Sequence, residues 1–255
     1  MHLRVLGCHG GTSRNHQSVS FLVNNRLALD AGSLATGLDL SQQSLLETVL
    51  VTHSHLDHVN DLGSVVEVRV QQEGTPLTIA GLPVTIAARR THFFNDVLWP
   101  DFARIQTARG PLLVYRELLP ERRVRFGDID VLPVLVHHSV PSCGFMVGVG
   151  EPTLAYTGDT GPTERIWEVI NECSGLRALI TEVSFPDRMA DLARRSGHLT
   201  PSSFAEQMTK VVRDPEQSLY VYGLKPVFAE EIERELAQLD LKGIQLLTTS
   251  LELDV

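Results

Sequence analysis

The sequence, 255 residues long, predicts an α/β fold in which two β-sheets are sandwiched between layers of helix. Residues 122–158 read as almost uninterrupted strand, whereas the second half alternates apolar strands with helical stretches. No linker, low-complexity tract or short-period repeat interrupts the chain, so a single domain over residues 1–255 is expected.

Residues 3–7 and 19–30 are predicted strands, with Asn24-Asn25 forming a tight hairpin turn between Phe21-Leu22-Val23 and Leu27-Ala28-Leu29. The β-branched run at 48–52 is a further strand, followed by a helix from about Leu62 to Val68. Strands are expected at 76–80 and 83–87. In the all-β stretch they fall at Arg123–Phe126, Ile129–Leu135, Phe145–Val149 and Thr153–Tyr156. A helix over 163–173 precedes the strand Ala178–Ile180. Thr200-Pro201 reads as an N-cap with proline at the first helical position, opening a helix that runs to about Val212. Ser218–Tyr222 is a strand, and Phe228–Leu239 an amphipathic helix with Glu230 and Glu231 in its first turn. Ile244–Thr248 is expected to be the last strand.

Hydrophobic residues make up 43% and charged residues 21%, enough to bury a full core. The net charge of −9, with 22 basic residues against 31 acidic ones, disfavours nucleic acid as a partner, because such binders need a basic face. The N-terminal segment has no signal-peptide pattern and no stretch approaches a membrane span, so a cytoplasmic protein without membrane association is expected. Three widely spaced cysteines do not form a disulfide framework.

The chemistry is concentrated in Thr52-His53-Ser54-His55-Leu56-Asp57-His58, at the end of an apolar strand. Side chains two apart on extended backbone point to one side, so His53 and His55 can share one ion. As the chain turns toward the next helix, Asp57 and His58 can face a second. Neutral imidazole and carboxylate suit Zn²⁺, with Mn²⁺ or Fe as alternatives, and one or two ions are expected. His138, with His137 as competitor, ends an apolar run, where a histidine taken alone is more often structural. Asp159, in Tyr156-Thr157-Gly158-Asp159-Thr160, can bridge two ions, or can close an Asx turn.

This His-x-His-x-Asp-His element, followed by a lone His and Gly-Asp-Thr, resembles the metallo-β-lactamase superfamily. The match implies that family's αββα four-layer sandwich with a two-metal site in the cleft. Phe94-Asn95-Asp96-Val97-Leu98-Trp99-Pro100-Asp101-Phe102, Thr181-Glu182-Val183-Ser184-Phe185-Pro186, Gly197-His198-Leu199-Thr200-Pro201 and Leu224-Lys225-Pro226 are similar to motifs of class II 3′,5′-cyclic-nucleotide phosphodiesterases. By that resemblance His53, His55, His138 and Asp159 hold the first metal, and Asp57, His58 and Asp159 the second. The implied reaction is hydrolysis of cyclic AMP or cyclic GMP to the 5′-monophosphate, by in-line attack of a metal-bound hydroxide. Asp57 would orient the nucleophile, and His198 would protonate the leaving sugar oxygen or contact the phosphate. Glu182 is the candidate to orient His198. Lys225 or Arg14 could meet the phosphate, and His9, His16 and Gly10-Gly11-Thr12-Ser13 could line the cleft.

The sequence departs from the family pattern twice. Gly223 stands where the family places its last metal-binding His, and no histidine follows His198. Asp61 occupies a position that is usually small. The missing ligand leaves three outcomes open: water or His198 fills the place, only the first site is used, or the protein is a non-catalytic nucleotide-binding relative. Two other hydrolases compete, a lactamase or thioesterase and a tRNA-processing nuclease of the same fold. The nuclease falls behind, because Tyr156 stands where it would carry a carboxylate. A homodimer is compatible with the fold, but no sequence feature demonstrates it.

Overall fold

The computed structural model describes residues 1–71, 75–212, 214, 217–241 and 243–255. β1 (His2–Gly7), β2 (Ser20–Val23) and β3 (Leu27–Leu29) form an antiparallel meander. Asn24 and Asn25 turn the β2–β3 hairpin with φ of 47° and 59°, the left-handed pair that a two-residue turn requires. α1 (Leu40–Leu45) is closed by a capping box from Asp39 and Gln42 and leads to β4 (Thr48–Val51). α2 (Leu62–Gln71), β5 (Leu77–Gly81) and α3 (Pro83–His92) follow. A small hairpin, β6 (Gln106–Thr107) with β7 (Gly110–Pro111), precedes β8 (Leu113–Glu117).

The second half begins with the antiparallel strands β9 (Val124–Phe126), β10 (Ile129–Val136), β11 (Ser142–Val149) and β12 (Glu151–Tyr156). α4 (Arg165–Glu172), β13 (Ala178–Glu182), α5 (Ala190–Ser196), α6 (Pro201–Met208), β14 (Ser218–Tyr222), α7 (Ala229–Leu236) and β15 (Ile244–Leu246) come next. β16 (Glu252–Asp254) then returns to the first sheet against β1. The two large sheets run β16-β1-β2-β3-β4-β5-β8 and β15-β14-β13-β12-β11-β10-β9.

Three apolar layers account for the sandwich. Val5, Phe21, Leu29, Phe145, Tyr156 and Ile180 pack between the two sheets. Val49, Val51, Leu62, Val65, Ile79 and Ile86 fill the space between the first sheet and its helices. Trp167, Ile170, Leu179, Phe204 and Ile232 do the same on the other side. Successive residues of β4 and β13 therefore enter different layers, and strands buried on both faces read as continuous apolar runs. Each fully buried Val or Leu in these layers contributes about 1.5–3 kcal/mol.

Three expected elements differ. Residues 83–87, predicted as strand from Val84-Thr85-Ile86, form the start of α3. Pro83 occupies its first turn, and Thr85, Ile86 and Arg89 are buried at helical spacing. The strand expected at Ile244–Thr248 spans Ile244–Leu246 and is not the last, since β16 follows. The helix opened by Thr200 ends at Met208, short of Val212, although its capping box forms as the sequence implied. Among the described residues no helix is long and apolar enough to cross a membrane.

β3, β4, β5 and β8 run parallel in the first sheet, and β12 to β15 run parallel in the second. Chemically distinctive residues follow their C-terminal ends: Asp30 after β3, His53 after β4, Asp159 after β12 and Gly223 after β14, with Glu182 closing β13. The crevice beyond strand C-termini is where open α/β sheets assemble sites.

Candidate metal centre

His53 leaves β4 fully buried, and its Nδ1 lies 2.9 Å from the Thr52 hydroxyl. That hydroxyl donates to Asp30, so it accepts the His53 Nδ1 proton and leaves the Nε2 lone pair facing inward. A 3-10 turn over Leu56–His58 then buries His58, whose Nδ1 donates to Asp30 Oδ2 at 2.8 Å. His138, two residues beyond β10, donates from Nδ1 to the carbonyl of Gly197 at 2.8 Å. In each ring one nitrogen is tied down behind the site, the outer-shell arrangement typical of metal-binding histidines.

The inward nitrogens converge. His55 Nδ1 lies 3.0 Å from His53 Nε2 and 3.1 Å from His138 Nε2. One proton on His55 can bridge only one of these contacts, so the other brings lone pairs together. A tetrahedral Zn²⁺ with bonds of about 2.0–2.1 Å spaces its nitrogen ligands by about 3.3 Å. The buried Nε2 of His58 has no hydrogen-bond partner and stands 3.3 Å from Asp159 Oδ1. Donor chemistry, spacing and this orphaned nitrogen all fit a cation.

Three overlapping groups have ligand atoms within 4.8 Å of one another: His53, His55 and His138; His53, His58 and Asp159; and His138, Asp159 and His198. Burial and the neighbouring imidazoles hold His53 well below the ordinary histidine range, keeping it neutral and ready to coordinate. Burial likewise lowers His55 and His138. His58 behaves differently: burial opposes its charge, but the carboxylates of Asp159 and Asp30 outweigh it and raise the ring well above its usual value. Burial would raise Asp159, yet the His58 charge beside it holds it well below the carboxylate range.

Of the residues singled out in the sequence, His53, His55, His58, His138, Asp159 and His198 meet at one centre. His137 is exposed and outside it. Asp57 is half-buried, close enough to His55 to favour its charged form, but belongs to none of the three groups. Glu182 is fully buried and accepts from His198 Nδ1 at 2.6 Å and from the Thr160 amide at 3.1 Å. Burial opposes the charge on His198, and Glu182 raises its proton affinity overall. Lys225 donates to the Gly10 carbonyl at 3.1 Å, pinning the 10–13 loop to the second sheet, while Arg14 is exposed.

No side chain reaches the centre from Gly223. Its backbone has φ +86°, and a Cβ there would lie 3.3 Å from Glu182 Cβ. Asp61 has a structural purpose, accepting from the amides of Ala35 at 2.9 Å and Thr36 at 3.2 Å.

Two residues escape sequence reasoning. Asp30, fully buried, receives the Thr52 amide at 2.9 Å, the Thr52 hydroxyl, His58, and the Tyr156 hydroxyl at 2.6 Å. Its sequence signal is an acidic residue directly after the apolar strand Leu27–Leu29. Arg89, on the misread α3, donates to the Ser54 carbonyl at 2.8 Å and steadies the histidine loop from below.

Residues 31–222 match the model of the beta-lactamase superfamily domain. The chain belongs to this family. It is 36% identical over 96 residues to a 3′,5′-cyclic-nucleotide phosphodiesterase 1 of Saccharomyces cerevisiae, covering 35% of this chain and 24% of that protein. It is 28% identical over 163 residues to a cAMP/cGMP-dependent 3′,5′-cAMP/cGMP phosphodiesterase A of Dictyostelium discoideum, covering 53% of this chain and 36% of that one. The chain thus spans about a quarter to a third of the length of these curated relatives. Among solved structures, unliganded yeast PDE1 superposes with a TM-score of 0.82 at 18% identity, covering 100% of this chain and 99% of that one. The metallo-beta-lactamase fold protein YhfI from Bacillus subtilis gives 0.77 at 18% identity, with 99% and 98% covered. These two likenesses carry the metallo-β-lactamase fold. Family and His/Asp cluster together support a metal-dependent hydrolase.

Proposed function

We propose that the chain, acting as one domain, is a phosphodiesterase that opens a nucleoside 3′,5′-cyclic monophosphate to the 5′-monophosphate. The observation that carries this reading is the meeting of two kinds of machinery at Asp159, an imidazole cluster suited to a cation and the His198–Glu182 pair. The names of the curated relatives support the substrate class. His53, His55, His138 and Asp159 would hold the first ion, and Asp57, His58 and Asp159 a second, with Zn²⁺ as the proposed metal. When bound, the ions acidify water and neutralise phosphoryl charge.

The chain's own residues do the rest. Asp57, half-exposed beside His55, accepts a hydrogen bond from the attacking water and sets its direction. His198 keeps a proton because Glu182 stabilises the imidazolium, and passes it to the 3′ oxygen as the bond to phosphorus breaks. Glu182, fully buried, fixes the ring that makes this transfer. Gly223 favours a second reading of the same chemistry, in which only the first subsite fills.

Metal content per chain, measured on the same sample as hydrolysis of cyclic AMP and bis(p-nitrophenyl) phosphate, tests both. Two ions with turnover support the two-ion reading, and one ion with turnover the other. Absence of turnover after loading with Zn²⁺ or Mn²⁺ overturns the enzyme reading in favour of a non-catalytic nucleotide binder.

A further inference from the structure

A cavity of about 400 Å³ opens between the loop after β12 and the helices α5 and α6. His198 lines it while also belonging to the cluster with His138 and Asp159, so cavity and metal centre share this residue as a wall. The volume lies within the range of small-molecule sites, about 300–1,000 Å³. Pro162, Ala190 and Ala193 give it small apolar surfaces against which a planar ring can lie.

Its charge is selective. Asp187, Asp191 and Glu206 contribute carboxylates, set against Arg194 and the His198 ring, whose charge Glu182 already balances. Arg194 is already paired with Asp191 at 2.7 Å. Asp187 accepts the amide of Ser202 at 2.8 Å and its hydroxyl at 2.6 Å. The side chain of Glu206 has no hydrogen bond or ion pair among the described residues, and its carboxylate is open to an incoming donor. A second phosphate would meet uncompensated negative charge here, whereas a neutral ring bearing amines would not.

We propose that this cavity takes the nucleoside half of the substrate, with Glu206 accepting from an exocyclic amine of the base. The inference rests on the phosphodiesterase reading and narrows it to mononucleotides with an amino-bearing base. It also places the ribose next to His198, where a departing 3′ oxygen needs its proton.

Cyclic IMP carries a carbonyl where cyclic AMP carries the 6-amine, and its N1 becomes an N–H donor. The carbonyl oxygen then faces the Glu206 carboxylate, which cannot donate to it. On the metal-loaded full chain, kcat/KM for cyclic AMP is expected to exceed that for cyclic IMP at least about tenfold. Glu206→Gln should bring the two within about twofold. Ala190→Trp, entering from the exposed rim, should lower kcat/KM for cyclic AMP at least about tenfold more than for bis(p-nitrophenyl) phosphate. Equal use of the two nucleotides by the unaltered protein, or an Ala190→Trp effect equal on both substrates, would overturn the proposal. If the unaltered protein cleaves no phosphodiester, the phosphodiesterase reading itself fails. Saturation-transfer NMR of adenosine on the metal-free chain then decides the cavity separately. Binding abolished by Ala190→Trp supports it, and no binding, or binding unaltered by Ala190→Trp, refutes it.

Discussion

Replacing Asp30 with asparagine keeps the shape of the side chain but removes its charge and one of its two acceptor oxygens. In the native fold Oδ1 accepts the Thr52 amide at 2.9 Å, while Oδ2 accepts His58 Nδ1 at 2.8 Å and the Tyr156 hydroxyl at 2.6 Å. The hydroxyls of Thr52 and Tyr156 can rotate to accept from the new amide. The Thr52 N–H and the His58 Nδ1–H cannot, and a single amide oxygen serves only one edge. At least one buried donor therefore loses its partner, at about 1–3 kcal/mol, and the His58 ring loses the carboxylate that aims it. Loss of such an orienting partner lowers metal affinity by about 10–100-fold, or about 1.4–2.8 kcal/mol. Zinc competition against a chromophoric chelator measures the second effect, and thermal melting of the metal-free protein the first. An Asp30→Asn protein with zinc affinity within about twofold of the parent and an unchanged melting curve would refute this account.

Four other outcomes are expected. His198→Asn should lower kcat for a cyclic nucleotide by about 10²–10⁴-fold, and far less for a p-nitrophenyl ester whose leaving group needs no proton, as compared in steady-state assays. Gly223→Ala puts a side chain on backbone at φ +86°, and urea unfolding should show a loss of about 1–2 kcal/mol. Gly197→Ala is more severe, because a Cβ there would stand 2.7 Å from His138 Cα. Elemental analysis should find less metal per chain. In the metal-free protein the raised proton affinity of His58 contributes stability that is complete below about pH 6.5 and is lost as pH climbs through its higher folded value. Melting in the presence of chelator should accordingly fall from neutral to alkaline pH, and His58→Gln should flatten that dependence.

Much of the cluster was legible because its candidate ligands lie close together along the chain where a strand ends. His53, His55 and His58 share one turn, and burial with short nitrogen contacts follows from that spacing. His138 and Asp159 were readable because each ends an apolar run. Asp30 was not, since an isolated carboxylate after a strand has the same local signature as an ordinary turn, and its partners Thr52, His58 and Tyr156 are remote in sequence. The sandwich was legible from most of its strands, but β8 and β16 were missed and 83–87 was read as strand. There β-branched Val84-Thr85-Ile86 favoured strand, while Pro83 and the packing of Ile86 under the first sheet decided for helix. β16 was missed because three residues of mixed polarity carry no periodic signal, and pairing with β1 alone defines them.

The proposed ligand set is divided between the two sheets. His53, His55 and His58 hang from the first, His138 and Asp159 from the second, and the Tyr156–Asp30 hydrogen bond crosses between them. Each of the three clustered groups draws donors from both halves or from the second alone, and none from the first half alone. An ion held by groups that span the two halves would be captured only once both have docked, a late event as the chain matures. Conversely, any fluctuation that parts the halves frees the cargo. Hydrogen exchange at the facing strands β4 and β12 should slow together when metal is added, a sign that the ion acts as a rivet across the sandwich as well as a reagent at its rim.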